Sequence, residues 1–359
     1  MKSEALFKLL FPAVLSIMFF LTTILLLATF GFWVGIPVNP LYVPLSLLLT
    51  LILIWRWASP KRLLTISFLF MLLLSYLLST LFIDQSWDGQ VIHQPAIFFL
   101  ADGWNPFHAS QVPTPFENNL WIEHYPKASW IIGATILSLT DSIEAAKIMN
   151  YLLLFALILL SIEFVGRMTL MGVRWQLLLA LLICLNPVLL VQLNTLYVDG
   201  NLYAALMVLT FSLVLYLKFR LKKYLLPAAL SFIILVNLKF TGLVYGISLL
   251  FIVLIVKARL DRRIDVKSIF LVFAGCVLAV VLVGYAPYAS NLLDHGHPFY
   301  PLMGKNKVDI ISNQVDKDFS RLDRFSKFFY ANFSNIEYQK LFPRLKNPLS
   351  FELKKLYYY

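Results

Sequence analysis

Residues 9–33 run for 25 positions without a charged side chain. A helix of about 20 apolar residues covers the hydrocarbon of a bilayer. Inside that layer every backbone N–H and C=O must be bonded within the chain, which leaves helices and closed barrels as the only spanning structures. The pattern recurs near residues 41–57, 63–83, 142–165, 175–195, 201–217, 225–237, 240–256 and 267–289. The expected fold class is therefore an all-α polytopic membrane protein with about nine transmembrane helices. Composition agrees: 60% of residues are hydrophobic and 14% charged, against roughly 25% charged in globular chains. The segments 225–237 and 240–256 form one apolar stretch broken by "NLKFTG", which reads as a re-entrant turn or tight hairpin. Cys184 and Cys276 both lie in apolar runs, so no disulfide framework is indicated.

The net charge of +11 is first a statement about loops facing the cytoplasm. Nothing in the chain resembles a nucleic-acid-binding motif. "MKSEALFKLL" opens a run too long for a signal peptide, and it reads as a retained first span with a cytoplasmic N-terminus. The inside segments then carry Lys2 and Lys8; Arg56, Lys61 and Arg62; Arg167 and Arg174; Lys218, Arg220, Lys222 and Lys223; and Lys257, Arg259, Arg262, Arg263 and Lys267. The other connections carry only Lys127 and Lys239, before a tail that holds eleven Lys/Arg. Long or terminal segments obey the charge bias poorly. The tail ends in "LKKLYYY" without a further span and reads as shortened. The expected location is the inner or plasma membrane of a bacterium, with the 83–128 loop facing outward. Within that loop "KASWIIGATILSL" is too short to span and suits an interfacial helix.

The outward connections gather most of the unusual polar residues. Asp84 and Asp88 stand four apart after the third span, on one face if the helix continues. His93 follows; "WIEHYPK" supplies Glu123, His124 and Lys127; "LYVDGN" supplies Asp199; and "NLLDHGHPFYP" supplies Asp294, His295 and His297. Each has a plainer reading. Asp84 ends a helix, Asp199 fits an N-cap, and Trp87, Trp104 and Trp121 fit an interfacial belt. The histidines lack metal-ligand spacing. Lys239 resists a plain reading, because a lysine between apolar half-spans is costly unless it faces a cavity or an anion. A lipid phosphate at headgroup level would suit it.

Acids, a lysine and rings at one face fit transfer of a sugar from a polyprenyl phosphate. The phosphate is its own leaving group, so one carboxylate suffices to take the proton from an attacking hydroxyl. Glycosidases, by contrast, use two carboxyls. In-line displacement inverts the anomeric carbon, and basic residues stabilise the departing phosphate.

Five stretches, "WDGQVIHQP", "HYPKASWIIGA…SIEAAKIMNYLLL", "LNPVLLVQLNTLYVDGNLY", "NLKFTGLVYG" and "YAPYASNLLDHGHPFYPLMG", occur in order across residues 63–304. In this ordered set the chain resembles the GT-C superfamily of integral-membrane glycosyltransferases, in the group related to protein O-mannosyltransferases and aminoarabinose transferases. The resemblance implies a GT-C-like fold with interfacial helices in a long external loop. It divides the chain into an extra N-terminal hairpin (1–57), a seven-span catalytic module (58–290) and an extracytoplasmic tail (291–359). It assigns Asp88 as general base, Asp199 as the acid of a later external turn and Lys239 as a basic residue near the lipid phosphate. Asp84, His93, His124, Lys127 and His297 complete the expected substrate-binding set. The family often has two adjacent acids where this chain has Asp88-Gly89, and its variable C-terminal part is reduced here. The implied partners are a polyprenyl-phosphate-linked sugar donor, a glycan, lipid or protein acceptor, and the bilayer. No cofactor is required, although Asp84 with Asp88 would hold Mg²⁺ or Mn²⁺ through oxygen ligands. The alternatives are a lipid-linked glycan ligase or polymerase of the same broad fold, a transporter or flippase, and a non-catalytic subunit. Transporters favour mid-membrane charges and internal repeats, and neither is visible.

Overall fold

The computed structural model describes residues 2–115, 118–308, 319 and 321–333. The chain forms two compact units, Met1–Asn306 and Lys307–Tyr359. The described residues are helical with no strand. In the first unit the helices are α1 (Lys2–Trp33), α2 (Tyr42–Trp57), α3 (Lys61–Thr80), α4 (Gln94–Ala101), α5 (Asn119–His124), α6 (Ala128–Thr140) and α7 (Ile148–Met168). They continue as α8 (Val173–Cys184), α9 (Pro187–Gln192), α10 (Asp199–Phe219), α11 (Leu225–Val236), α12 (Phe240–Asp261), α13 (Val266–Val277) and α14 (Ser290–His295). The second unit contains α15 (Arg324–Phe333), whose first turn is held by Asp323 Oδ1 accepting from Phe325 N and Ser326 N.

Among the described residues six helices are long and apolar enough to cross a membrane: Leu9–Trp33, Lys61–Thr80, Glu144–Met168, Asp199–Phe219, Phe240–Asp261 and Val266–Val283. The polytopic class stands on these six, and three of the nine expected segments form shorter helices. The segment near 41–57 is a helix of 16 residues, Tyr42–Trp57. The one near 175–195 is split by Asn186-Pro187 into α8 and the one-and-a-half turns of α9, because Asn186 caps a new helix through Val188 N and Leu189 N. The one near 225–237 is the 12-residue α11. At 1.5 Å per residue such helices fall short of the roughly 30 Å hydrocarbon layer.

Residues 1–57 are built into the first unit. α1 runs through the middle of the bundle and packs against α2, α3, α6, α7 and α11. Between lipid-soluble helices, association rests on close packing and polar contacts rather than on the hydrophobic effect. α1 supplies both: small Ala13, Ser16, Thr22, Ala28 and Thr29 are buried with Phe20 and Phe32, and Thr22 Oγ1 reaches Leu230 O of α11 at 3.5 Å. The expected interfacial helix is α6, and it is enclosed by protein on nearly every side, from Ala128 to Leu137. Gly133 makes room there: a Cβ on it would stand 3.1 Å from both Ala146 Cβ and Ile97 Cδ1. The tail boundary also moves, since α14 and Tyr300 belong to the first unit. Most of the tail, 309–318 and 334–359, lies outside the described residues.

Candidate functional site

α3 stops at Thr80, so Asp84 and Asp88 do not share a continuing helix face. A new helix covers 87–101, widened to π geometry over Gly89–His93 before it becomes α4. π-bulges frequently mark functional sites. Asp88 and His93 sit at the two ends of this one.

Asp84 is 3% exposed and fully engaged. Its Oδ1 accepts from Ser86 N at 2.8 Å and Ser86 Oγ at 2.6 Å, and its Oδ2 accepts from Leu196 N at 2.7 Å. Asp84 N donates to Glu144. This carboxylate fastens the loop to the segment before α10, with both oxygens accepting hydrogen bonds from the chain. Gly89 is required by the same knot. A Cβ on it would lie 2.1 Å from Asp84 Oδ2 and 2.3 Å from Ser86 Oγ. A second acid beside Asp88 has no room here.

Asp88 is half-buried. Burial pushes its carboxyl above the ordinary carboxylate range, while the Lys239 charge pulls it down and Asp199 pushes it up. At this end of the bundle, among the described residues, it is the one carboxylate away from bulk solvent whose oxygens accept no hydrogen bond. Lys239 Nζ and Asp199 Oδ1 form an ion pair at 2.6 Å. Asp199 opens α10 and Lys239 immediately precedes α12, so two helix N-termini, each carrying partial positive charge, converge on the pair. The connection that presents Lys239 is short. Asn237 is buried in it, donates to Ile233 O and Ala279 O, and through its carbonyl accepts from Ala128 N at 2.8 Å. That last bond fixes the start of α6 beside Lys239.

His93 is buried, and Trp130 Nε1 donates to its Nδ1 at 2.7 Å. Burial, then the Lys239 charge, lowers it to about 4, against Asp199. It is therefore a neutral ring that carries its proton on Nε2, packed on Tyr197 at 6.1 Å between centroids. Tyr125 joins this group and is absent from the sequence-derived set, although it lies inside "WIEHYPK". Burial, then Asp199 and Asp88, pushes its hydroxyl up to about 12. Its ring meets Phe240 at 5.0 Å, and Phe240 meets Tyr288 and Phe299, which gives the site an aromatic wall.

Three expected substrate-binding residues are engaged elsewhere. Lys127 is 2% exposed; its Nζ donates to Glu123 O and Tyr125 O, both at 2.8 Å, and stands over the Trp104 and Trp130 rings. Burial lowers it to about 7, partly offset by Glu123. It braces the α5–α6 turn from within, and Trp104, expected in an interfacial belt, is buried with it. His124 Nδ1 shares a 2.7 Å bond with Asn291 Oδ1. Asn291 Nδ2 donates to His124 O and Tyr300 O, so the amide oxygen is the acceptor and His124 carries its proton on Nδ1. With His295 stacked on Tyr300 at 3.8 Å, this cluster ties α5 to α14. His297 Nδ1 accepts from Phe299 N at 3.1 Å within its own turn. Asp88, His93, Asp199 and Lys239 thus come together, and Asp84, His124, Lys127 and His297 surround them as scaffold. No group of three or more His, Cys, Asp or Glu side chains suited to a metal ion occurs among the described residues.

A lateral groove of about 230 Å³ opens at Asp199. Asn186 and Val188 of the α8–α9 region, Leu202 and Leu206 of α10, and Tyr245 of α12 line it, and its walls are overwhelmingly apolar. No protein-family model matches the chain, and no curated protein and no solved structure matches it.

Proposed function

We propose that the chain is a glycosyltransferase of GT-C type that moves a sugar from a polyprenyl phosphate to an acceptor hydroxyl, with inversion and with Asp88 as general base. The observation that carries this reading is Asp88 itself: a half-buried carboxylate without a hydrogen-bond partner, beside a Lys239–Asp199 pair at the mouth of an apolar groove. In the reaction the acceptor oxygen forms a bond to the anomeric carbon as the bond from that carbon to the phosphate oxygen breaks. The electron pair leaves with the lipid phosphate, and the acceptor proton passes to Asp88. A raised carboxyl pKa brings the base closer to working pH, where proton transfer is most efficient. Lys239 and the N-termini of α10 and α12 favour the departing phosphate. The groove beside Asp199 suits the prenyl tail. Neutral His93 and Tyr125 border the sugar. The loop side of the bundle faces outward in this reading, consistent with the Lys/Arg distribution.

The test uses the full chain in lipid nanodiscs with a panel of radiolabelled polyprenyl-phosphate sugars and membrane extract as acceptor. Asp88→Asn is expected to lower transfer by about 10²–10⁴-fold without loss of folded protein. Transfer at the original rate would overturn the assignment of the base.

A further inference from the structure

A second, open pocket lies between the loop after α3 and the segment before α10. Its volume is about 490 Å³, within the roughly 300–1,000 Å³ of small-molecule sites. Leu81, Phe82 and Ile83 form its rim, and Gln85, Ser86, Asn194 and Thr195 form its polar wall. Ser86 of its lining is two residues before Asp88 in the same loop, and Asn194 and Thr195 are five and four residues before Asp199, which interacts electrostatically with Asp88.

The polar wall specifies a ligand chemistry. No charged side chain lines it. The charges behind it are acidic or already paired: Asp84 and Glu144 are carboxylates, and Lys147 Nζ is held by Glu144 and by Phe82 O. An anionic headgroup would meet no available cation and two carboxylates. The neutral groups offer matched donors and acceptors. Asn194 Oδ1 accepts from the Tyr151 hydroxyl, which leaves its N–H₂ to donate into the pocket. Ser86 Oγ gives its proton to Asp84, which leaves its lone pairs to accept. The exposed Gln85 amide makes no hydrogen bond among the described residues. Together they suit hydroxyl groups, which both donate and accept.

The rim specifies the other half of the ligand. Leu81, Phe82 and Ile83 are exposed. They continue an exposed apolar stripe on α3 made by Leu63, Ile66, Phe70, Leu73 and Leu77, whose spacing of three and four keeps it on one side of the helix.

Resting on the glycosyl-transfer reading, we infer that this pocket holds the acceptor, and that the acceptor is an uncharged, hydroxyl-bearing amphiphile with its tail along α3. Donor and acceptor then reach Asp88 from two separate pockets, one lined by Asp199 and one by Ser86. The hydroxyl that attacks is carried by the amphiphile, its proton goes to Asp88, and the products are a glycosylated amphiphile and the free lipid phosphate.

The experiment uses the full chain in nanodiscs and two photoactivatable probes of equal chain length, an alkyl glucoside and an alkyl phosphate, each with a diazirine beside the headgroup. The glucoside probe is expected to label residues 81–86 and 194–195, and unlabelled alkyl glucoside is expected to compete. Thr195→Trp, which fills the pocket, is expected to abolish this labelling. Gln85→Ala, at an exposed position that does not threaten folding, is expected to weaken it by about five-fold, the loss of one hydrogen bond. The phosphate probe is expected to avoid the pocket. Glucoside labelling spread evenly over exposed helices, or phosphate labelling of the pocket equal to that of the glucoside, overturns the inference. Labelling is read without turnover, so it is distinguishable from failure of Asp88 as base: Asp88→Asn retains pocket labelling whatever happens to transfer.

Discussion

The two ends of the bundle handle charge differently. At the end away from the long loop, several charged groups are paired with one another. Glu163, fully buried in α7, accepts through Oε1 from Tyr224 Oη and from Arg167 Nε at 3.0 Å, with Lys223 at 4.0 Å, while its buried Oε2 accepts no hydrogen bond among the described residues. Lys257 bridges Asp261 and Asp265, and Arg220 reaches Asp261. These pairs fasten the ends of α7, α10, α12 and α13. At the loop end the scaffold acids and cations are likewise occupied, but Asp88 is not, and the Lys239–Asp199 pair stays partly open to solvent. Charge that is completed by its neighbours holds a fold; charge left incomplete at a groove is available for a ligand.

Substitutions at the two ends should therefore separate stability from activity. The largest expected contrast sets Asp88→Asn, with transfer down by about 10²–10⁴-fold and melting unchanged or raised, against Glu163→Leu. The latter removes the acceptor of the Tyr224 hydroxyl and the Glu163–Arg167 bond and is expected to destabilise by about 3 kcal/mol, with transfer per folded molecule retained. Thermal melting in nanodiscs alongside the transfer assay reads both. Gly89→Ala comes next. It drives a Cβ into a pinned carboxylate, and displacing Asp84 from Leu196 N is expected to lower stability by about 1–3 kcal/mol and transfer with it; an unaltered melting curve would show that Asp84 is not the tie described. Lys239→Met should raise donor KM far more than it lowers melting, because an ion pair this exposed contributes only about 0.2–1 kcal/mol to stability. The smallest effect is expected for Arg220→Met, an exposed member of the closed end, whose melting and transfer should both stay near the original values.

Acid should separate the same properties. His93 and His124 have folded values of about 4, below the ordinary 6.5. The unfolded chain then binds more protons as pH falls from 6.5 towards 4, so stability is full above that window and declines through it. Asp88 has the opposite sign. Its raised value means that the folded state takes up its proton more readily, which does not destabilise the fold but does remove the base. Transfer is expected to fall with acid before the His-linked melting loss is complete, and Asp88→Asn should abolish the activity limb while leaving the melting limb in place.

The helical membrane class, the turn that carries Lys239 and the clustering of polar residues after α3 were legible in the sequence, because they rest on local pattern: run length, a polar interruption, composition. The distinction between site and scaffold was not. Asp84 and Asp88 are the same residue type four positions apart, and what separates them is the N–H of Leu196, more than a hundred residues away. Lys127 satisfies itself on carbonyls of its own turn, a closure that residue identity does not encode. The burial of α1 and α6 within the bundle was not legible for a related reason: an apolar segment looks alike whether lipid or protein surrounds it. The Gly89 beside Asp88 was visible as a departure from a paired-acid pattern, yet its reason, the Asp84 carboxylate under its α-carbon, lies in the third dimension.

The central place of α1 has a consequence for biogenesis. Its partners α7 and α11 are synthesised long after it, so α1 must wait in the bilayer before the site that will surround it exists. Its seam is suited to waiting: the buried hydroxyls of Ser16 and Thr29 turn back onto carbonyls of their own helix, at 2.7 and 2.9 Å, and so are content in lipid before any neighbour arrives. The earliest of these helices to be made is thus also one of those against which the most later helices pack.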